Sequence, residues 1–143
     1  MKKYLFAVIL ACMFLSGCTK EDRNGIPGKQ ALIIDIELTA FSATMAHSML
    51  VDMLTNPENY LGKTVKTRGE HTVLYYTPER PYNFIIVDGP PDCCPQALMF
   101  MLKGERVYPQ EGKRIEITGV FSRYDGFELP YYYLAVNDII ILD

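Results

Sequence analysis

Lys63-Thr64-Val65-Lys66-Thr67-Arg68-Gly69-Glu70 is the stretch on which the fold turns. Val65, Thr67 and Gly69 alternate with Lys66, Arg68 and Glu70, and a two-residue period sends the two sets to opposite faces of a strand. Gly69 stands where an inward side chain is due, and a glycine in mid-strand permits a sharp bend. Upstream the period changes. Over residues 42–55, Met45, Met49, Leu50, Met53 and Leu54 recur at helical spacing, with Ala46 on the same face. Ser42 or Thr44 can cap the start, Pro57 suits the first position of a second short turn, and Gly62 can end it. Before the helix, residues 33–38 alternate apolar and acidic side chains and read as an extended edge segment.

Downstream the two-residue period persists. Phe84-Ile85-Ile86-Val87 reads as a buried strand running into the turn Asp88-Gly89-Pro90-Pro91. Leu98, Phe100 and Leu102 share a face, with Met99 and Met101 behind. Ile115, Ile117 and Phe121 alternate with Arg114, Glu116 and Thr118, and residues 131–142 are rich in aromatic and β-branched side chains. The expectation is an all-β domain with an N-terminal helix. Its five strands are too few for a sandwich, which needs about seven, so they predict a five-stranded Greek-key barrel. Between the third and fourth strands, Pro109 and two glycines predict a loop or one turn over residues 104–112 rather than a helix.

The N-terminus carries a separate signal. Lys2 and Lys3 precede an apolar run over residues 4–14, which is shorter than the roughly 20 residues a spanning helix needs. Leu15-Ser16-Gly17-Cys18 closes it as a lipobox. Together these predict a lipoprotein signal peptide over 1–17, cleaved to leave Cys18 carrying acyl chains such as palmitate. One chain holds weakly, whereas two or three hold durably. Residues 18–30, polar and broken by Gly25, Pro27 and Gly28, read as a flexible tether, and residues 31–143 as the domain. The expected location is the cell membrane, lipid-anchored on its extracytoplasmic side. Thr19 after Cys18 leaves the outer membrane open as destination. Thr19-Lys20-Glu21-Asp22 resembles the short acidic stretch of surface-exposed lipoproteins, or is simply a charged linker start.

Asn56-Pro57-Glu58-Asn59-Tyr60-Leu61-Gly62-Lys63-Thr64-Val65, Gly69, Cys93-Cys94-Pro95-Gln96-Ala97-Leu98-Met99-Phe100 and Gly119-Val120-Phe121 together resemble a group of uncharacterised bacterial lipoproteins with an OB-like domain. The similarity runs from about Asp35 to the end. It implies an OB-fold and an envelope location, and it brings no activity with it.

Composition narrows the partners. Without residues 1–17 the chain keeps 126 of its 143 residues, with 12 basic against 17 acidic side chains, a formal charge of about -5. Nucleic-acid modules show a basic stripe instead, so no nucleic acid is expected as a partner. No phosphate loop, paired-histidine metal motif or nucleophile elbow occurs. The acidic residues are scattered, so neither an enzyme nor a cofactor is expected.

Two constellations remain. In the barrel reading, Tyr75, Tyr76, Arg80 and Tyr82 flank the loop between the first two barrel strands, and Arg123, Tyr124, Phe127 and Tyr131 flank the loop between the last two. Tyrosines beside an arginine suit stacking on sugars or peptide side chains while a charge holds a polar tip. An envelope glycan or protein is the expected ligand, with half-buried strand tyrosines at the rim as the plainer reading. The second constellation is Cys93-Cys94. Adjacent Cα atoms stand about 3.8 Å apart, short of the roughly 5.5–6 Å that disulfides prefer. The pair could form a strained vicinal disulfide, bind a metal or answer redox conditions, bridge to another chain, or simply pack. Donors to such a metal would be His71, His47, Asp88 and Asp92. Met45, Met49 and Met53 with His47 read as packing rather than as a soft-metal site.

Overall fold

The computed structural model describes residues 32–78, 80–91, 95–126 and 129–142, all within the unit Leu32–Asp143. The expected signal peptide, Cys18 and the expected tether lie outside the described residues, as do Cys93 and Cys94.

Among the described residues the chain runs through β1 (Ile36–Glu37), a 3-10 turn (Leu38–Ala40), α1 (Ala43–Thr55) and a second 3-10 turn (Pro57–Asn59). Five longer strands follow: β2 (Thr64–Thr77), β3 (Arg80–Val87), β4 (Gln96–Leu102), β5 (Arg114–Tyr124) and β6 (Tyr131–Leu142). The described residues are thus all-β with one α-helix in front. Strand β2 pairs with β3, β3 with β4, β4 with β6, β6 with β5, and β5 again with β2, which closes a ring of five strands. Every contact in the ring is antiparallel except β4 with β6.

Strand β2 is shared between two neighbours. Its first half, Thr64 to Glu70, pairs with β5, and its second half, from Gly69 onward, pairs with β3. Gly69 sits at the hand-over, opposite both Val87 and Ile115. A Cβ there would overlap the Ile86 carbonyl oxygen, far inside van der Waals contact, so only glycine lets β3 come this close. Gly119 is similar. It lies at the register shift between β5 and β6, where a Cβ would stand 2.7 Å from the Ala135 carbonyl oxygen.

Alternation fills the core. Val65, Ile85, Leu98, Phe100, Ile115, Ile117, Phe121, Leu134 and Val136 are buried and form one cluster with Ala46, Leu50 and Met53 of α1 and with Ile36 and Leu38. Burying a side chain of this size contributes about 1.5–3 kcal/mol. Ser42 caps α1, its Oγ accepting from the Met45 N–H at 3.4 Å. Met45 does not join the helical stripe as the spacing predicts. It is 59% exposed, because the buried stripe starts one residue later at Ala46.

The edge segment is also shorter than its alternation predicts. Only Ile36 and Glu37 pair, in parallel with Val65 and Lys66, because the backbone coils at Leu38. The Asp35 carboxylate accepts from the Thr64 N–H at 2.7 Å and fixes the register. Residues 104–112 hold no helix, in keeping with Pro109 and the glycines. Within that loop the Tyr108 hydroxyl accepts from the Leu102 N–H at 3.1 Å and its ring packs against the core.

Candidate functional site

The hairpin of β2 and β3 brings Leu74 opposite Tyr82 and Tyr75 opposite Pro81, with a bulge between Tyr75 and Thr77. The bulge re-aims the strand end and leaves the Tyr76 side chain 87% exposed. Phe84 faces Met99 across β3 and β4, and Tyr124 faces Tyr131 across β5 and β6. The Tyr124 and Tyr131 rings lie 5.0 Å apart at 35°, and Tyr133 continues the row 6.1 Å from Tyr131.

These residues surround two adjoining depressions. An open groove of about 910 Å³ is lined by Leu74, Tyr75, Tyr76, Phe84 and Leu129, together with Tyr82, Met99 and Tyr131. A smaller hollow of about 220 Å³ shares those last three and adds Arg80, Pro81, Asn83 and Tyr124, with Phe100, Met101 and Tyr108. Six of the eight residues expected to bind ligand therefore meet at one place: Tyr75, Tyr76, Arg80, Tyr82, Tyr124 and Tyr131. Arg123 does not join them. Residues alternate along β5, so Arg123 faces the side opposite Tyr124, where it pairs with Asp125 at 2.6 Å and Glu58 at 3.0 Å. Asp125 first, and Glu58 after it, hold its guanidinium above the usual arginine range. Phe127 lies outside the described residues.

Burial, followed by the Tyr124, Tyr82 and Tyr133 phenols, pushes the Tyr131 hydroxyl above the ordinary tyrosine value, while Arg80 pulls the other way. At neutral pH Tyr131 is therefore a hydrogen-bond donor beside a cation. Among the described residues the Tyr75, Tyr76 and Tyr82 hydroxyls make no hydrogen bond within the protein. Below the hollow sits His71, 1% exposed, with Nε2 2.9 Å from Asn83 Oδ1 and its ring against Phe100 and Tyr108. Its Nδ1 has no partner among the described residues.

Sequence reasoning missed Leu74, Phe84, Asn83, Met99, Tyr108 and Leu129. Met99 had a signal, since it falls on the face behind Leu98 and Phe100, and that outer face is the groove. Tyr108 had none, because only the path of its loop carries it there.

Two of the four expected metal donors are engaged elsewhere. Asp88 binds Arg114 at 2.6 Å and approaches Arg68 at 3.9 Å, and His71 is held by Asn83. Among the described residues no three His, Cys, Asp or Glu side chains converge. Cys93, Cys94 and Asp92 lie outside them. Met53 is fully buried, Met49 packs partly buried against the core, and Met45 is exposed.

No family model matches this chain, and no curated protein matches it.

Proposed function

We propose that this protein is a membrane-anchored, extracytoplasmic OB-like module that works by binding an envelope ligand rather than by catalysis. The observation that carries the reading is the meeting of five tyrosines and Arg80 around two adjoining depressions. A volume of about 910 Å³ lies within the range of ligand sites, which are mostly apolar with a few polar groups that fix orientation. The strand order and the single parallel contact between β4 and β6 support an OB-like barrel, as does Gly69 at the bend. In that fold the face of the second and third barrel strands and the two flanking loops bind ligand. Here those are β3, β4 and the turns next to Tyr76 and Leu129, where the groove lies. The anchor rests on Lys2, Lys3 and the lipobox ending at Cys18.

The test is binding of envelope glycans and envelope proteins by the intact chain and by Tyr76→Ala, Arg80→Ala and Tyr124→Ala. A ligand held at this face loses affinity in at least two of the three. Unchanged affinity throughout removes the face. Incorporation of labelled palmitate, abolished by Cys18→Ala, tests the anchor separately.

A further inference from the structure

We infer that Leu32, Ile33 and Ile34 form a lipid-facing seat, an exposed aliphatic run that enters the headgroup layer of the bilayer holding Cys18. The inference rests on the proposed acyl anchor and is independent of the groove.

Three consecutive aliphatic side chains open the described part of the chain, and all three are exposed, Ile33 by 84%. Such a run is a liability in water unless something covers it. The next residues fix how it is presented. Asp35 donates its N–H to the Thr64 carbonyl at 2.9 Å, and its carboxylate accepts from the Thr64 N–H at 2.7 Å. Ile36 and Glu37 then pair with Val65 and Lys66. The run is therefore a lead-in clamped at its base to the start of β2, while Tyr75 and Tyr76 stand toward the other end of that strand.

Chain length selects lipid as the cover. Leu32 lies fourteen residues after Cys18. A linker of that length spans at most about 50 Å when fully extended, and about 20 Å root-mean-square when flexible. Acyl chains on Cys18 thus hold a bilayer surface within reach of this run at all times, whereas a protein partner has to arrive by diffusion. Linkage of this kind makes the second contact intramolecular and raises its effective concentration. The acyl chains hold the protein, and the seat fixes how it sits.

Depth follows from the backbone. Residues 32–34 belong to no helix or strand, and peptide groups without such partners are too costly to place in hydrocarbon. Headgroups and interfacial water satisfy them, so the side chains alone reach the acyl region. Neighbouring charges suit that level. The nearest carboxylates are engaged, Asp35 with the Thr64 N–H and Glu37 with Lys66 at 3.2 Å. Beside Thr64, the Lys63 ammonium lies 5.2 Å from the Tyr60 ring centroid, and Lys and Tyr are residue types that anchor at membrane interfaces.

The chain has no tryptophan, so a single introduced one reports its own surroundings. Acylated Ile33→Trp and Val107→Trp are purified from membranes and reconstituted into vesicles of phosphatidylcholine and phosphatidylglycerol with brominated acyl chains, which quench tryptophan at short range. Val107 is 95% exposed, so both substitutions are at the surface, and circular dichroism verifies that each variant stays folded. Emission from Ile33→Trp should shift to shorter wavelength and lose most of its intensity, more from bromines high on the acyl chain than from deep ones. Val107→Trp should keep both wavelength and intensity. Adding Ile34→Asp to Ile33→Trp should remove most of the quenching. With palmitate incorporated, an unquenched Ile33→Trp overturns the inference and leaves the anchor standing. A blue shift without quenching does the same, since it means that protein covers the run. Equal quenching at both positions also overturns it. Failure to incorporate palmitate removes the anchor and this inference together, and leaves the groove untouched.

Discussion

At the scale of single residues, the glycines show how one missing methyl directs the ring. Gly69 lets β2 pass from β5 to β3, and a side chain there meets backbone, which cannot swing away. Gly62 differs: it has a φ of 80° with open space around it, so alanine there is only conformationally strained. Gly69→Ala should cost about 3 kcal/mol or more through overpacking, against about 1–2 kcal/mol for Gly62→Ala. Urea midpoints of the two variants give the order, and a reversed order would contradict the close approach of β3. Asn83 is a second such residue, because it holds the buried His71 at Nε2. Asn83→Ala should destabilise by about 1–3 kcal/mol, the cost of a buried polar group left unpaired, and the same urea titration reads it.

Elements show both what the sequence reveals and where its reading stops. The helix was legible because 3.6-residue spacing and a serine cap are local, but its phase was not. Whether Met45 or Ala46 opens the buried stripe depends on how α1 sits against the ring, which no window of sequence contains. Met53→Ala should therefore cost about 2–5 kcal/mol, whereas Met45→Ala should leave the thermal midpoint nearly unchanged. The ring strands were legible through Val65, Ile85, Leu98 and Ile117, whose alternation survives in the core. The two loops that carry the tyrosines were also legible, and their meeting follows from strand order. Arg123 went astray because facing is decided by one step of strand parity, and β5 turns it toward Glu58. Met99, Asn83 and Tyr108 join the site only through contacts between distant segments.

The tyrosines at element junctions also make a pH prediction. The Glu58 bond raises Tyr132, the Asp52 bond raises Tyr60, and burial raises Tyr131. A group raised in the folded state stabilises it fully below its unfolded value and ceases to do so as pH climbs through the folded one. Stability to urea should thus hold through neutral pH and fall above about pH 10, with a shallower fall in Tyr132→Phe. Asp52 is lowered, first by Tyr60 and then by Asn56. Its contribution is present above about pH 4 and disappears as pH falls through its lower folded value. Asp52→Asn should flatten the acid limb.

At the scale of the whole molecule, geometry sets the groove apart from the start of the domain. Ile36 pairs with Val65 near the beginning of β2, while Tyr75 and Tyr76 lie ten or eleven residues further along that strand. A strand rises about 3.3 Å per residue, so the tyrosine end projects well away from the point where the chain joins the ring. The proposed binding face is that aromatic end. In cells that make the protein, photocrosslinking from benzoylphenylalanine at Tyr76, compared with the same probe at Ile140, tests this most directly. Ile140 is 50% exposed on the far part of β6, so both probes reach solvent. The binding account expects a discrete adduct from position 76 and none from position 140. Adducts from 140 alone, or equal yields from both positions, would contradict it.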